Sequence, residues 1–225
     1  MQRKIITTAD GSKTIQIEGW NEQYHSVHGA IQEANHVYIT QGLLFFISEV
    51  VSNPQQKISI LEIGFGTGLN ALLTLLASEE HNLNINYFGV EGYPVSSEEL
   101  LQLNYTEALD IKNNYFEELH KLDWETSHKI TKRFSLTKQQ KFFDEIAEYD
   151  SYDIIYFDAF GARVQPELWT ESIFKKMYDA LKPNGVLVTY SAKGTVKRAL
   201  KSVGFIIQRL EGPPGKRHML RAVKS

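Results

Sequence analysis

The residues best suited to chemistry stand at the ends of short apolar runs. Glu62-Ile63-Gly64-Phe65-Gly66-Thr67-Gly68 follows the run that starts at Lys57. Glycines at alternate positions let the backbone bend tightly and come close to a ligand, because no β-carbon intervenes. Leu69 breaks the dinucleotide pattern GxGxxG, and no GK[ST] follows, so the phosphate-loop pattern fails too. Glu91 comes 23 residues after Gly68, at the end of the next strand-like run. A carboxylate there accepts both hydroxyls of a ribose. A bend for an amino-acid end and an acid for the ribose describe an S-adenosylmethionine site better than a nicotinamide site. Gly64, Phe65, Gly66, Gly68, Asn70, Glu91 and, further along the chain, Asp158 are the expected cofactor contacts. Glu62 either orients the turn or meets the ligand's ammonium group. The plainer reading of Glu91 is a surface acid after a strand; the glycine turn upstream favours the ribose role.

Asp158 follows a third such run, in DIIYFDAFGARVQPELW. An acid at a strand's carboxyl end, followed by aromatic, glycine and proline positions, is a place for a substrate amine to meet the methyl donor. An ordinary carboxyl pKa of about 4 is too low for an efficient base, so positioning the amine is the role expected of it. Tyr190 and Ser191, at the tip of a later strand, either line the same pocket or are plain strand ends. His25, His28 and His36 match no common metal-ligand spacing, and with no cysteine in the chain no metal is expected.

These residues need strands to carry them. The chain has 225 residues, 42% hydrophobic and 23% charged, which suits one α/β domain. Asp10-Gly11 separates two β-prone runs, a hairpin signal. Residues 24–40 show no period; 41–51 read as an amphipathic helix stopped by Asn53-Pro54. Strands at 57–63, 85–90, 153–157 and 186–190 then alternate with helices at 69–78, 171–181 and 194–203, and Ser96 to Glu99 resembles a capped helix start. Residues 103–149 are poorly patterned, with a strand expected at 128–136. Runs at 205–210 and 218–223 pair as a terminal hairpin. The expected fold is therefore α/β, a Rossmann-like class I methyltransferase with a mostly parallel seven-stranded sheet, a terminal antiparallel hairpin and a small N-terminal β-hairpin extension. Residues 1–52 form the extension and 53–225 the S-adenosylmethionine-dependent domain.

No apolar run is long enough to span a bilayer and no secretion signal opens the chain, so the cytoplasm is the expected location and no membrane partner is expected. The net charge of −3 is uneven: residues 191–225 carry +8 and the rest −11. Such a tail is either a polyanion-facing surface or a solvated basic face.

Four segments, LEIGFGTGLN, YFDAFGARVQPELWT, TYSAKGTVKRAL and GPPGKRHMLRA, occur in the order seen in a known family. The chain resembles the MnmC-like methyltransferases, which finish 5-methylaminomethyl-uridine at the wobble position of tRNA. That domain is fused to a flavin-dependent oxidoreductase in some bacteria and stands alone in others. The resemblance implies that Asp158 is the acid beside the reacting amine and that Phe160 and Pro166 shape its pocket. The segment YHSVHGAIQEANHVYI also resembles the family and implies that Glu33 lines the site. For tRNA, Lys193, Lys197, Arg198, Lys216 and Arg217 would contact phosphates around the anticodon loop, and Phe160 or Trp169 would stack on the flipped base, Trp169 being more often a core residue. Ala162 replaces a frequent proline. FSLTKQQ lacks the family's acid for the adenine, so no adenine contact is assigned. The chain is too short for a flavin domain, which implies a standalone form that methylates 5-aminomethyl-(2-thio)uridine, yields S-adenosylhomocysteine, uses no metal or flavin, and depends on a separate FAD-dependent oxidoreductase. Two other readings remain open at this point. A methyltransferase for a small molecule or protein needs no basic tail, and a non-catalytic S-adenosylmethionine- or tRNA-binding module transfers no methyl group.

Overall fold

The structure, a computed structural model, describes every residue except Met1, Ser52 and Pro54. Among the described residues, eight strands form one sheet and three form another. The small sheet is antiparallel: β1 (Arg3–Thr7), β2 (Lys13–Ile17) and β3 (Glu22–Gln23). The large sheet contains β4 (Lys57–Ile63), β5 (Asn84–Val90), β6 (Ser127–Lys129), β7 (Phe134–Gln139), β8 (Tyr152–Phe157), β9 (Leu181–Thr189), β10 (Ile206–Glu211) and β11 (His218–Val223). Its order is β10-β11-β9-β8-β4-β5-β7-β6, parallel from β9 to β7 and antiparallel at both edges. This is the expected seven-stranded sheet with its terminal hairpin, extended by the three-residue β6. The third strand lies later than expected, at β7, because the 128–136 run folds back on itself as the β6–β7 hairpin.

Alternation along buried strands decides which side chains face which helices. Ile60, Ile154, Tyr156, Val186 and Val188 join one core; Leu61, Ile63, Ile155, Phe157 and Leu187 join the other. The first core lies under the helix Leu69–Glu80 and a long helical rod, and the second under the helices Glu171–Ala180 and Gly194–Ser202. The rod runs through Ala30–Ala34, a π-helical stretch Asn35–Leu44 and Phe45–Glu49. It begins eleven residues before the expected helix at 41, since a π-helix abandons the 3.6-residue repeat that reveals an amphipathic helix. Its described end is Glu49; the Pro54 half of the expected stop lies outside the described residues. The Ser96 cap is formed with Glu99 as a capping box, on a helix only four residues long, Ser97–Leu100.

β5 and β8 flank β4 on opposite sides, so the strand order reverses above the carboxyl end of β4. Open α/β sheets bind ligands at such a switch point. No described helix is long and apolar enough to cross a membrane.

Candidate active site

Above that switch point lies a cavity of about 1470 Å³. It exceeds the roughly 300–1000 Å³ of ordinary small-molecule pockets and has room for two ligands side by side. Its floor comes from the strand tips of the large sheet. One wall comes from the small N-terminal sheet through Arg3, Ile17, Trp20 and Glu22.

The turn after β4 is built for close approach. Gly64, Gly66 and Gly68 have φ of +90°, +49° and +73°, a region costly for residues with a β-carbon. A β-carbon at Gly64 would lie 2.8 Å from the Asp158 carbonyl oxygen, and one at Gly66 would press the Tyr24 ring at 3.1 Å. Gly64, Phe65, Gly66 and Asn70 line the cavity; Gly68 sits behind it, against His120. His120 Nε2 lies 3.0 Å from the Thr67 carbonyl oxygen and braces the turn from behind. Glu91 reaches the cavity from the tip of β5. Its Oε2 accepts from Gly66 N–H at 3.0 Å and its Oε1 from Tyr93 N–H at 2.9 Å. A carboxylate offers about four acceptor positions, so two remain for ribose hydroxyls.

Beneath the turn, Glu62 is fully buried and does not reach the cavity. Asn70 Nδ2 donates to both Glu62 Oε1 (2.9 Å) and Asp158 Oδ2 (2.8 Å), so two carboxyls share one amide donor. Burial pushes Glu62 well above the usual carboxyl range, against the pull of the Asn70 hydrogen bond. Burial also raises Asp158 to about 7, with Glu33 adding to the rise while the nearby Tyr38 hydroxyl, the Asn70 hydrogen bond and the charge of Lys216 oppose it. The Asp158 carboxyl is recessed in the cavity floor. Asn70 Oδ1, also buried, has no hydrogen-bond partner among the described residues. A buried amide oxygen without a donor beside a ligand cavity is the kind of acceptor that an ammonium group can satisfy. The bare-backbone cradle, the spare capacity of Glu91 and this unpaired oxygen together fit S-adenosylmethionine.

Three aromatic rings crowd the other chamber. Phe160 meets Tyr24 edge to face at 4.8 Å and Trp20 at 5.8 Å. Tyr190 donates to the Ala159 carbonyl at 2.9 Å, and its ring contacts Trp169 at 6.0 Å. Trp169 is buried against Phe157 and donates to the Phe160 carbonyl at 2.7 Å, so it supports the loop from the core. Pro166 is exposed and opens a short 3-10 turn; its neighbours Gln165 and Glu167 line the cavity and Pro166 does not. Glu33 and Lys216 line the cavity as an ion pair. Lys193 lines it at the rim, and Arg198 and Arg217 are exposed outside it.

Near Glu91 the cavity is lined by Tyr93, Phe142, Phe143 and Asp144, with the Tyr93 and Phe142 rings 5.7 Å apart. These residues, with Trp20, Tyr24 and Tyr38, are absent from the sequence-based set. The loop after β7 carries no glycine signature, and Trp20 and Tyr24 flank the short strand β3, whose place beside the cavity no local pattern reveals. No cluster of three or more potential metal ligands occurs among the described residues.

The solved structure of MnmC2 from Aquifex aeolicus matches 98% of this chain and 69% of its own, with a TM-score of 0.78 and 26% identity. The spermidine synthase of Thermotoga maritima shares the fold at a TM-score of 0.55 and 16% identity, over 99% of this chain and 68% of its own. Among curated proteins, the "tRNA 5-methylaminomethyl-2-thiouridine biosynthesis bifunctional protein MnmC" of Burkholderia multivorans is 26% identical, over 92% of this chain and 33% of its own length. Its namesake in Burkholderia thailandensis is 28% identical, over 96% and 34%. The chain thus spans about a third of the length of the curated relatives it matches. The model of the S-adenosyl-L-methionine-dependent methyltransferase family known as Methyltransf_30 matches residues 106–225, and the chain, with its Rossmann-like sheet and donor cradle, belongs to that family.

Proposed function

We propose that the chain methylates the amine of a 5-aminomethyl-(2-thio)uridine at the wobble position of tRNA, giving the 5-methylaminomethyl nucleoside. The observation that carries this reading is the Asp158 carboxyl, recessed where the donor cradle meets the aromatic chamber. The names of the relatives support it, as does the basic rim. Residues 53–225 serve as the methyltransferase domain, and residues 1–52 complete its substrate side.

Bound S-adenosylmethionine supplies a methyl group already activated by its cationic sulfur. The Gly64–Gly68 turn and Asn70 hold the amino-acid end, and Glu91 holds the ribose. Tyr93 and Phe142 clasp the adenine, with Asp144 accepting from its amine. On the other side, Phe160, Trp20 and Tyr24 stack on the flipped base, since single-stranded loops can present an unstacked base to aromatic rings. An alkylammonium has no lone pair, so it must lose a proton before it attacks. A carboxylate whose pKa lies near 7 takes that proton far better than an ordinary aspartate, because a base works best close to the ambient pH. Asp158 is thus both the positioning group and the base, a stronger role than its residue type alone supports. Holding the reacting atoms in line contributes up to about 7–11 kcal/mol.

The paired carboxyls yield a prediction. A cationic ligand lowers the pKa of a nearby carboxyl, so at pH 7 the donor should expel protons from Asp158 and Glu62. Calorimetry in two buffers of different ionisation enthalpy should report net proton release for S-adenosylmethionine and less for S-adenosylhomocysteine, which lacks the sulfonium charge. Identical heats in the two buffers would count against the shared-carboxyl arrangement.

The function itself is tested by incubating the purified protein and donor with tRNA carrying 5-aminomethyl-uridine, then analysing wobble nucleosides by mass spectrometry. A gain of one methyl on that nucleoside is the expected result. Its absence, with transfer instead to a protein or metabolite extract, would overturn the tRNA reading.

A further inference from the structure

The loop between β10 and β11 returns over the cavity and delivers Lys216 into it. The loop is seated on the approach to the helical rod: Gly215 packs so closely on His28 that a β-carbon would overlap the ring, and His36 Nε2 lies 2.9 Å from the Glu211 carbonyl oxygen. The Lys216 ammonium pairs with Glu33 and stands 3.9 Å from the centroid of the Tyr190 ring. Glu33 is only 6% exposed, and its other oxygen accepts from Ser26 N–H at 2.7 Å. A carboxylate facing an aromatic ring is a cage for an organic cation. A buried carboxylate left without a counter-charge is costly, so this cage must stay filled.

The group that fills it, a primary alkylammonium, is the group the proposed substrate carries. We infer that Lys216 is a resident stand-in for the substrate: Glu33 and Tyr190 form the ammonium-recognition site, Lys216 occupies it at rest, and the incoming aminomethyl group displaces it. This rests on the amine-methylation reading. The released lysine is free to swing toward exposed Arg217 at the rim, where the phosphates of the entering strand would be met. The phosphate contact expected of Lys216 is then made only in the occupied state.

Two measurements test the displacement. Lys216 over a ring face should show an upfield-shifted ε-methylene signal in protein labelled with 13Cε-lysine, assigned by its loss in Lys216→Arg. tRNA bearing 5-aminomethyl-uridine should return that signal to the position of a free lysine, whereas the same tRNA with plain uridine should leave it shifted. If both tRNAs bind by fluorescence anisotropy and the signal stays put, the inference is wrong. If neither binds, the tRNA reading fails, and ethylammonium alone decides the cage. A tethered competitor acts at an effective concentration of millimolar or more, so Lys216→Met should bind ethylammonium at least roughly tenfold more tightly than the wild type. Glu33→Gln in that background should remove the gain. Equal affinity in Lys216→Met and the wild type would overturn the inference.

Discussion

Asp158→Asn is expected to abolish methyl transfer while tRNA stays bound. The asparagine keeps the size of the side chain and can still accept from Asn70 Nδ2 through its own carbonyl oxygen, so the cavity floor is retained. What disappears is the carboxylate that would take the proton of the amine. Loss of a general base costs roughly 10²–10⁴-fold in rate, and loss of alignment adds to it. tRNA affinity should change little, because the exposed cations of the rim are untouched. Single-turnover transfer to 5-aminomethyl tRNA, measured beside anisotropy binding, separates the two effects. Turnover within a few-fold of the wild type would remove Asp158 from the chemistry.

The second large effect belongs to the rim. Of the nine basic residues after position 190, Arg221 is buried over the Phe45 ring and hydrogen-bonded to Gln208 and Gln41. Lys224 pairs with Asp150 and Lys216 with Glu33. The other six, Lys193, Lys197, Arg198, Lys201, Arg209 and Arg217, are exposed and make no salt bridge among the described residues. Each phosphate neutralised contributes about 0.7–0.9 to the slope of log affinity against log salt. Replacing Lys197, Arg198 and Arg217 together with alanine should therefore flatten that slope by about 2 and weaken binding alike for tRNAs of different sequence. An unchanged slope would mean that tRNA approaches from another side.

What the sequence reveals and what it conceals divide along physical lines. The βα alternation, the glycine turn with Glu91 and the tip at Asp158 are local features, since strand periodicity and bare-backbone turns are written in neighbouring residues. Glu33 and Lys216 come with the family resemblance, but not their pairing, which joins residues 183 positions apart. The raised pKa of Asp158 is equally hidden, because it arises from burial and from neighbours on other segments. The basic tail shows the opposite failure: its charge is plain in the sequence, yet three of its nine cations are consumed by internal contacts. Residues 24–40 lack a helical repeat because they pass from an irregular segment through one short α-helix, Ala30–Ala34, into the π-helical stretch, and Trp20 and Tyr24 reach the cavity from segments flanking β3 that no local pattern links to it.

The π-helical rod has a fulcrum. At Gly42 the rod lies so close to the sheet that a methyl group there would meet Val188 at 3.0 Å and Tyr156 at 3.2 Å. The same rod carries Tyr38, and Glu33 one turn further on, toward Asp158. An alanine at 42 would act as a shim, prying the rod from its bearing and rolling both side chains away from the acid they surround. Methylation should then fail in a protein whose donor cradle and basic rim are intact, with no change made to any residue that lines the cavity. Donor affinity near that of the wild type, combined with lost transfer, would be the signature of that leverage.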